Sequence, residues 1–149
     1  PMINETEAKR AERWIQEAIE SGGKLLTGGK RNGAVLEPTL MKDVPIACNV
    51  NSKEVFAPIM VLKGFKDFKQ AVEELDNSDY GLQAGVFTNN LSNAMYAYEN
   101  IEAGGIVINE VSAFRVDSMP YGGMKLSGMG KEGIKYAIEE MTERKILII

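Results

Sequence analysis

The sequence predicts an α/β fold, an open and mainly parallel sheet with flanking helices. Apolar segments of strand length begin at Ile59, Gln83 and Gly104, and segments of helical length separate them. Crossover helices between apolar strands imply parallel pairing with right-handed connections. The chain has 149 residues, 44% hydrophobic and 26% charged, which is enough apolar material for one core. We therefore expect a single domain over residues 1–149.

The N-terminal segment predicts an amphipathic helix from Glu5 to Ser21, because apolar residues recur on one face at helical spacing. Asn4 is the expected N-cap, and Gly22 supplies a stop. The following residues Lys24 to Thr27 predict a short strand, and the glycine-rich stretch up to Gly33 predicts a turn.

The middle of the chain alternates strands and helices. IMVLKGF, from Ile59, predicts a buried strand, and the next segment predicts a helix capped by Asp67. QAGVFT predicts a second strand. Asn90 then introduces a predicted helix over Leu91 to Ile101, and Gly104 to Asn109 predicts a third strand.

Ligands of open α/β sheets usually bind beyond the carboxyl ends of strands, which draws attention to Glu110 to Tyr121. A glycine-rich stretch, GGMKLSGMG, then leads into a predicted helix from Lys131 to about Met141. The chain closes with RKILII. An apolar strand at 143–149 needs a partner, and the sheet edge of a neighbouring element or subunit would supply one.

Composition argues against several classes of function. The net charge of −4 and the mixed charge distribution predict no binding to nucleic acid. The absence of histidine and the single cysteine predict no zinc site and no histidine-based acid/base catalysis, and no carboxylate spacing resembles a calcium loop. No apolar segment approaches the roughly 20 residues that cross a bilayer. The lone cysteine and the lack of an export signal predict a cytoplasmic protein with no membrane partner.

The segment GMGKEG, from Gly128 to Gly133, matches the spacing of a dinucleotide-binding turn. No strand is predicted directly before it, and the acidic residue expected about 20 positions later would fall at the chain end near Ile148. A Walker motif also fails, because Glu132 stands where Ser or Thr is required. We interpret the segment as a structural glycine-rich loop.

Cys48 is the one thiol that could act as a nucleophile. No histidine is available to activate it, and the sequence shows no helix N-terminus beside it. A small, partly buried apolar residue is the favoured interpretation.

Glu54 and Phe56, in EVFAP, lie two positions apart before a predicted strand, so an extended backbone would direct both side chains to one side. Taken alone they fit either a functional pair or a surface acid beside a core aromatic. Arg115 fits either a bidentate anion contact or a salt bridge with Asp117 or Glu110, and Phe114 fits either loop packing or a pocket wall.

The order and spacing of the motifs resemble the aldehyde dehydrogenase family over essentially the whole chain. KEVFAPIMVLKGF resembles the family segment that contains Glu-x-Phe-Gly-Pro, with Ala57 in place of the usual glycine. DYGLQAGVFTNN, GGIVINE and MPYGGMKLSGMGKEG resemble later family segments, and PMIN resembles a segment shortly after the catalytic cysteine. SAFRVDSMPYGG is most similar to lactaldehyde and non-phosphorylating glyceraldehyde-3-phosphate dehydrogenases.

This resemblance implies an NAD(P)-dependent oxidation of an aldehyde to a carboxylic acid. It implies that Glu54 binds the nicotinamide ribose hydroxyls of NAD or NADP and that Phe56 packs near the nicotinamide ring. The residues that would line the aldehyde pocket are Val111, Ser112, Ala113, Phe114 and Arg115. Arg115 would suit an oxygenated or anionic aldehyde. RKILII would join an intersubunit sheet of a homo-oligomer, a dimer or tetramer.

In the family, the nucleophilic cysteine, the general base, the oxyanion-hole amide and the Rossmann domain lie upstream of the region that this chain resembles. Cys48 does not match the nucleophile, so no catalytic residue is assigned within the chain. We expect a C-terminal fragment of the catalytic domain that is inactive alone. The alternative is a stand-alone remnant that serves as an oligomerisation or interaction module.

Overall fold

The computed structural model describes residues 1–149, and the α/β class predicted from the sequence is confirmed. The helices are α1 (Glu5–Glu20), α2 (Asn49–Ser52), α3 (Phe68–Asp76), α4 (Leu91–Asn100) and α5 (Ile134–Met141). The strands are β1 (Lys24–Thr27), β2 (Arg31–Asn32), β3 (Val35–Leu36), β4 (Thr39–Lys42), β5 (Ile59–Leu62), β6 (Tyr80–Gly81), β7 (Gln83–Val86), β8 (Gly105–Ile108) and β9 (Met124–Lys125). None of the helices combines the length and apolar character needed to cross a bilayer.

The chain divides into two compact units, Pro1–Lys66 and Asp67–Ile149. The first unit contains a three-stranded sheet in the order β1-β4-β5, with β1 antiparallel to β4 and β4 parallel to β5. Helix α1 places one face in the core of this unit. The buried residues of that core are Ala11, Ile15, Ala18, Leu36, Met41, Val44, Cys48 and Val50.

The second unit contains the parallel pair β7 and β8, joined by α4, with α3 packed on α4. Its core consists of Val72, Ala84, Ala97 and Ile101. A second short pair, β6 and β9, is antiparallel.

Helix starts agree with the sequence. The side chain of Asn4 accepts a hydrogen bond of 2.9 Å from the Glu7 amide, Asp67 accepts one from Gln70, and Asn90 accepts from Ser92 and Asn93. These short polar side chains satisfy amide groups that the first turn of a helix leaves without partners. The three predicted N-caps are therefore confirmed.

An ion pair fastens the end of α3 in the second unit. Asp76 Oδ1 accepts a 2.7 Å hydrogen bond from the Glu102 amide and lies 2.9 Å from Lys125 Nζ. The amide and then the ammonium group lower the pKa of the Asp76 carboxyl below its ordinary value of 3.8, because both stabilise its charged form. Three segments far apart in sequence meet at this carboxylate.

Glycines permit a close backbone approach at the start of β8. A Cβ atom on Gly104 would lie 1.6 Å from the carbonyl oxygen of Gly122. No side chain fits there, so the glycine-rich segment packs directly against the strand.

The sheets differ from the prediction in their continuity. The sequence suggests one succession of parallel strands, whereas β4–β5 and β7–β8 belong to separate sheets. Strand β4 was not predicted, because its pairing with β5 is non-local. α5 begins at Ile134, three residues after the predicted Lys131. The single domain over residues 1–149 stays a prediction.

The C-terminal residues 143–149 form no strand within the chain. A strand needs hydrogen-bonding partners on a neighbouring strand, and these residues have none. Their apolar side chains, Ile146 to Ile149, are exposed. The oligomerisation strand at 143–149 stays a prediction.

Candidate functional site

Glu54 and Phe56 lie in the segment that connects α2 to β5, within the first unit. Both side chains line a surface cavity of about 680 Å³. The other residues that line it are Pro1, Met2, Ile3, Glu7, Arg10, Ala57 and Pro58. The structure therefore places the two predicted cofactor-binding residues on a shared cavity.

The backbone reaches this arrangement in a way that the sequence analysis did not foresee. An extended segment was expected, but Phe56 has φ 44°, in the left-handed region that favours glycine. The expected extended geometry is therefore wrong at Phe56. Ala57, in place of the family glycine, is not among the residues with positive φ, so its methyl group meets no conformational penalty of that kind.

The two side chains are free to meet a ligand. Phe56 is 76% exposed, which rules out the alternative of a core aromatic. The Glu54 carboxylate is exposed and forms no hydrogen bond or ion pair within the chain. Two oxygen atoms with free lone pairs can accept hydrogen bonds from two neighbouring hydroxyl groups. An acceptor and an aromatic ring on one cavity fit a nucleoside sugar and its base.

Arg10 of α1 supports the segment between these residues. Its Nη2 atom donates a 2.8 Å hydrogen bond to the carbonyl oxygen of Val55, and its Nε atom lies 2.6 Å from Glu7 Oε2. The guanidinium carbon lies 4.3 Å from the centre of the Trp14 ring. Sequence analysis missed Arg10, because 45 positions separate it from Val55 and no local pattern marks the contact.

The predicted substrate loop, Val111 to Arg115, follows β8 in the second unit, and all its residues are exposed. Asn109 turns the chain after β8 with φ 60°, and its side chain accepts a 2.8 Å hydrogen bond from the Thr88 amide. The Phe114 amide donates to the carbonyl oxygen of Val111, 3.2 Å away. The Phe114 carbonyl accepts a 2.8 Å hydrogen bond from Nε2 of Gln83, a contact that sequence analysis missed.

Arg115 carries a salt bridge, but with neither of the predicted partners. Its Nη2 atom lies 2.7 Å from Oε2 of Glu132, and its guanidinium carbon lies 4.3 Å from the centre of the Tyr121 ring. Glu110, one predicted partner, accepts instead from the amide of Val111. The expected pairs with Asp117 and Glu110 are therefore wrong, because a hairpin-like bridge between Tyr121 and Glu132 brings the latter carboxylate near the loop.

The model of the aldehyde dehydrogenase family matches residues 1–147. The chain belongs to the aldehyde dehydrogenase family. The resemblance inferred from the motifs is thus confirmed, and the family assignment covers both compact units.

Relatives of this aldehyde dehydrogenase chain agree with the subgroup that its loop resembles. It is 50% identical over 149 residues to a 3-sulfolactaldehyde dehydrogenase of Priestia aryabhattai, covering all of this chain and 31% of that protein. It is 43% identical over 150 residues to a lactaldehyde dehydrogenase of Methanococcus aeolicus, covering 99% of this chain and 32% of that protein. The chain thus spans about a third of the length of these relatives.

Two solved structures show the same fold. Aldehyde dehydrogenase 21 from Physcomitrella patens, in complex with its reaction product succinate, has a TM-score of 0.96 and 52% identity, covering 100% of this chain and 31% of that one. Glyceraldehyde-3-phosphate dehydrogenase GapN from Methanocaldococcus jannaschii, complexed with NADP, has a TM-score of 0.89 and 40% identity. The match covers 95% of this chain and 30% of that one. Both similarities extend over nearly all of the chain.

In this aldehyde dehydrogenase chain, Cys48 is the N-cap residue of α2 and is 4% exposed. The expectation of no helix N-terminus beside it is wrong, because a four-residue helix begins at Asn49. Its sulfur packs in the core of the first unit, so it is more deeply buried than predicted. A buried thiol of this kind fits a structural role.

The glycine-rich segment of the same chain uses its polar groups internally. The Lys131 amide donates to Glu140 Oε1 at 3.1 Å, and the Lys131 ammonium group donates to the Gly122 carbonyl at 3.1 Å. The preceding strand, β9, ends at Lys125 and not directly before Gly128, and it pairs antiparallel with β6, so it does not form a Rossmann strand. These contacts support the interpretation as a structural loop.

Proposed function

We propose that this chain is the C-terminal part of the catalytic domain of an NAD(P)-dependent aldehyde dehydrogenase, which oxidises an aldehyde to a carboxylic acid in the cytoplasm. Family membership and the one-third coverage of its relatives support the proposal. The observation that carries it is the shared cavity of Glu54 and Phe56. The chain supplies part of two binding sites, and the nucleophile and general base belong to the remainder of the enzyme.

In this proposal, Glu54 accepts hydrogen bonds from the ribose hydroxyls of NAD or NADP, and Phe56 packs near the nicotinamide. The unpaired carboxylate and the 76% exposed ring suit these roles. The cofactor accepts the hydride when bound, and the residues of this chain orient it. The related GapN structure was solved with NADP, whereas the coenzyme of this enzyme is either NAD or NADP.

The loop from Val111 to Arg115 lines the aldehyde pocket, and Arg115 binds an oxygenated or anionic part of the substrate. Glu132 contacts one nitrogen, Nη2, of the guanidinium, which leaves other N–H donors for a second acceptor. One relative is named for 3-sulfolactaldehyde and another was solved with succinate, a dicarboxylate. These names favour an aldehyde that carries a negative charge.

The test compares the 149-residue chain with the longer polypeptide encoded around it. We expect aldehyde-dependent formation of reduced nicotinamide from the longer polypeptide and none from the chain alone. Turnover by the isolated chain that Cys48→Ser abolishes would contradict the proposal, because it would place the nucleophile here.

The cofactor role is tested by Glu54→Gln in the longer polypeptide. We expect the KM for the cofactor to rise about tenfold or more, as for a lost hydrogen bond to a charged group. The matched control is Glu37→Gln, which alters another exposed carboxylate of the first unit away from the cavity. Equal effects of the two variants would exclude a specific role of Glu54.

A stand-alone oligomerisation module is the second candidate, and one feature favours it. Helix α5 buries no residue, and its apolar side chains Ile134, Ile138 and Met141 are exposed along one face. Reading the coding sequence upstream of Pro1 separates the two: an in-frame cysteine motif and Rossmann domain support the enzyme. Deletion of Ile146 to Ile149 tests the interface, and unchanged association in sedimentation would count against a dimer or tetramer built on this strand.

A further inference from the structure

Strand β7 presents its two faces to different parts of the second unit. Ala84 is 7% exposed and belongs to the core. Gln83 and Gly85 flank it, so their positions face the other side of the strand. Both are in contact with the loop that follows β8, and that face of the strand acts as its support.

The loop can approach Gly85 closely because glycine has no side chain. A Cβ atom there would lie 2.7 Å from the carbonyl oxygen of Glu110 and 3.2 Å from the amide nitrogen of Ser112. The backbone of the loop therefore rests directly on the strand. Any side chain at this position would push the loop away.

Gln83 crosses the neighbouring strand to reach the loop. Its partner in the parallel register is Gly105, where a Cβ atom would lie only 3.3 Å from Gln83 Cγ and 3.4 Å from Nε2. Because Gly105 has no side chain, the amide lies over the strand and donates its 2.8 Å hydrogen bond to the Phe114 carbonyl. The absence of side chains at Gly85 and Gly105 thus leaves room for the loop and for the hydrogen bond between Gln83 and Phe114.

The oxygen atom of the Gln83 amide indicates that this residue is not present for stability alone. Gln83 Oε1 is buried and has no hydrogen-bond partner within the chain. A buried acceptor without a donor destabilises a fold, and an apolar side chain of similar shape would avoid that penalty. An apolar side chain, however, could not donate the hydrogen bond to the Phe114 carbonyl oxygen.

We propose that Gln83 is a positioning residue for the substrate loop: through the Phe114 carbonyl it fixes residues Val111 to Arg115, with Gly85 and Gly105 leaving the required space. The inference rests on the proposed function, in which this loop lines the aldehyde pocket. We expect the contact to affect only one of the two binding sites. Loss of the contact weakens recognition of the aldehyde and leaves recognition of the cofactor by the first unit unchanged.

The first test uses amide hydrogen exchange of the 149-residue chain, followed by NMR. Gln83→Met keeps the length of the side chain and removes the donor, and Gln70→Met makes the same change at an exposed position of α3. We expect the Phe114 amide, which closes the loop turn, to lose about fivefold or more of its protection in Gln83→Met alone, as for one neutral hydrogen bond. Equal loss in the β7–β8 amides would overturn the proposal, because the role would then be structural.

The second variant, Gly105→Ala, keeps Gln83 and crowds its amide. We expect the same selective loss of protection in the loop. If Gly105→Ala leaves the Phe114 amide unchanged while Ile106 and Val107 exchange faster, the proposed space for the amide is wrong.

The third measurement uses the longer polypeptide. We expect Gln83→Met to raise the KM for the aldehyde about fivefold or more, with the KM for the cofactor unchanged. Equal rises in both constants would overturn the positioning role. Absence of aldehyde oxidation by the unaltered polypeptide would refute the proposed function instead, and the exchange experiment would still decide the role of Gln83.

Discussion

Nη2 of Arg10 donates a 2.8 Å hydrogen bond to the carbonyl oxygen of Val55, between the two residues assigned to the cofactor. The guanidinium is held on both sides, by Glu7 at 2.6 Å and by the ring of Trp14 at 4.3 Å. Helix α1 thereby fixes the connecting segment that carries Glu54 and Phe56. These contacts lie within the chain and require no ligand.

Arg10→Met should release that segment. We expect the free energy of unfolding of the chain to fall by about 1.5–3 kcal/mol, the range for a hydrogen bond from a charged group. Urea denaturation measures it. Arg13→Met, at an exposed position on the same helix, is the control and should change stability by less than about 0.5 kcal/mol. Equal losses in the two variants would show that the Val55 contact contributes nothing.

Two small replacements of Phe56 should differ in stability because of its left-handed backbone. Phe56→Gly removes the steric cost of φ 44°, about 1–2 kcal/mol, and loses about 0.5–1 kcal/mol through greater backbone freedom in the unfolded chain. We expect its stability to equal or slightly exceed that of the unaltered chain, whereas Phe56→Ala keeps the cost and should be less stable than Phe56→Gly. Urea denaturation of the pair decides, and the reverse order would mean that the backbone at 56 is not strained.

The Asp76 carboxylate should make stability depend on pH. Its pKa in the folded chain lies below its ordinary value of 3.8, so its contribution is complete above that value and is lost as pH falls through the folded pKa. We expect Asp76→Asn to lower stability at neutral pH by about 1 kcal/mol, since Asn keeps the acceptor oxygen but loses the charge that pairs with Lys125. The difference between the two proteins should shrink below about pH 4. A constant difference from pH 7 to pH 3, measured by urea denaturation, would contradict the linkage.

Asn90 should be needed for the start of α4. Asn90→Ala leaves the amides of Ser92 and Asn93 without their acceptor, and we expect a loss of about 1 kcal/mol. Asn90→Asp retains the acceptor and should keep most of the stability. Thermal unfolding checks both variants, and an alanine variant as stable as the aspartate variant would show that the cap is dispensable.

Local chemistry explains why so much of the helical structure could be predicted. Asn4, Asp67 and Asn90 cap helices through contacts two or three residues ahead. Strand β4 was missed, because its register with β5 joins Thr39 to Ile59 across 20 positions. The strand at 143–149, predicted from apolar character and family resemblance, stays a prediction, because the hydrogen-bonding partner that a strand requires would lie outside this chain.

In the candidate site, too, local features were predicted and long-range contacts were missed. Glu54 and Phe56 were predicted from spacing and family order, but neither the left-handed backbone at Phe56 nor the Arg10 contact beside it has a local sequence pattern. The partner of Arg115 was wrong, because Glu132 lies 17 positions away and comes near through a long-range bridge. No local pattern marks Gln83, since its proposed role depends on Gly105 of the neighbouring parallel strand.

The close backbone contact at Gly104 should limit which residues can occupy that position. Its Cβ would collide with the Gly122 carbonyl at 1.6 Å, with backbone on both sides of the contact and no flexible side chain to move aside. In a library of single substitutions, position 104 should accept glycine alone, although it lies outside both the cofactor cavity and the substrate loop. Intolerance at this position would reflect the close approach of two backbones, whereas exposed positions of the substrate loop would vary with the aldehyde that each relative uses.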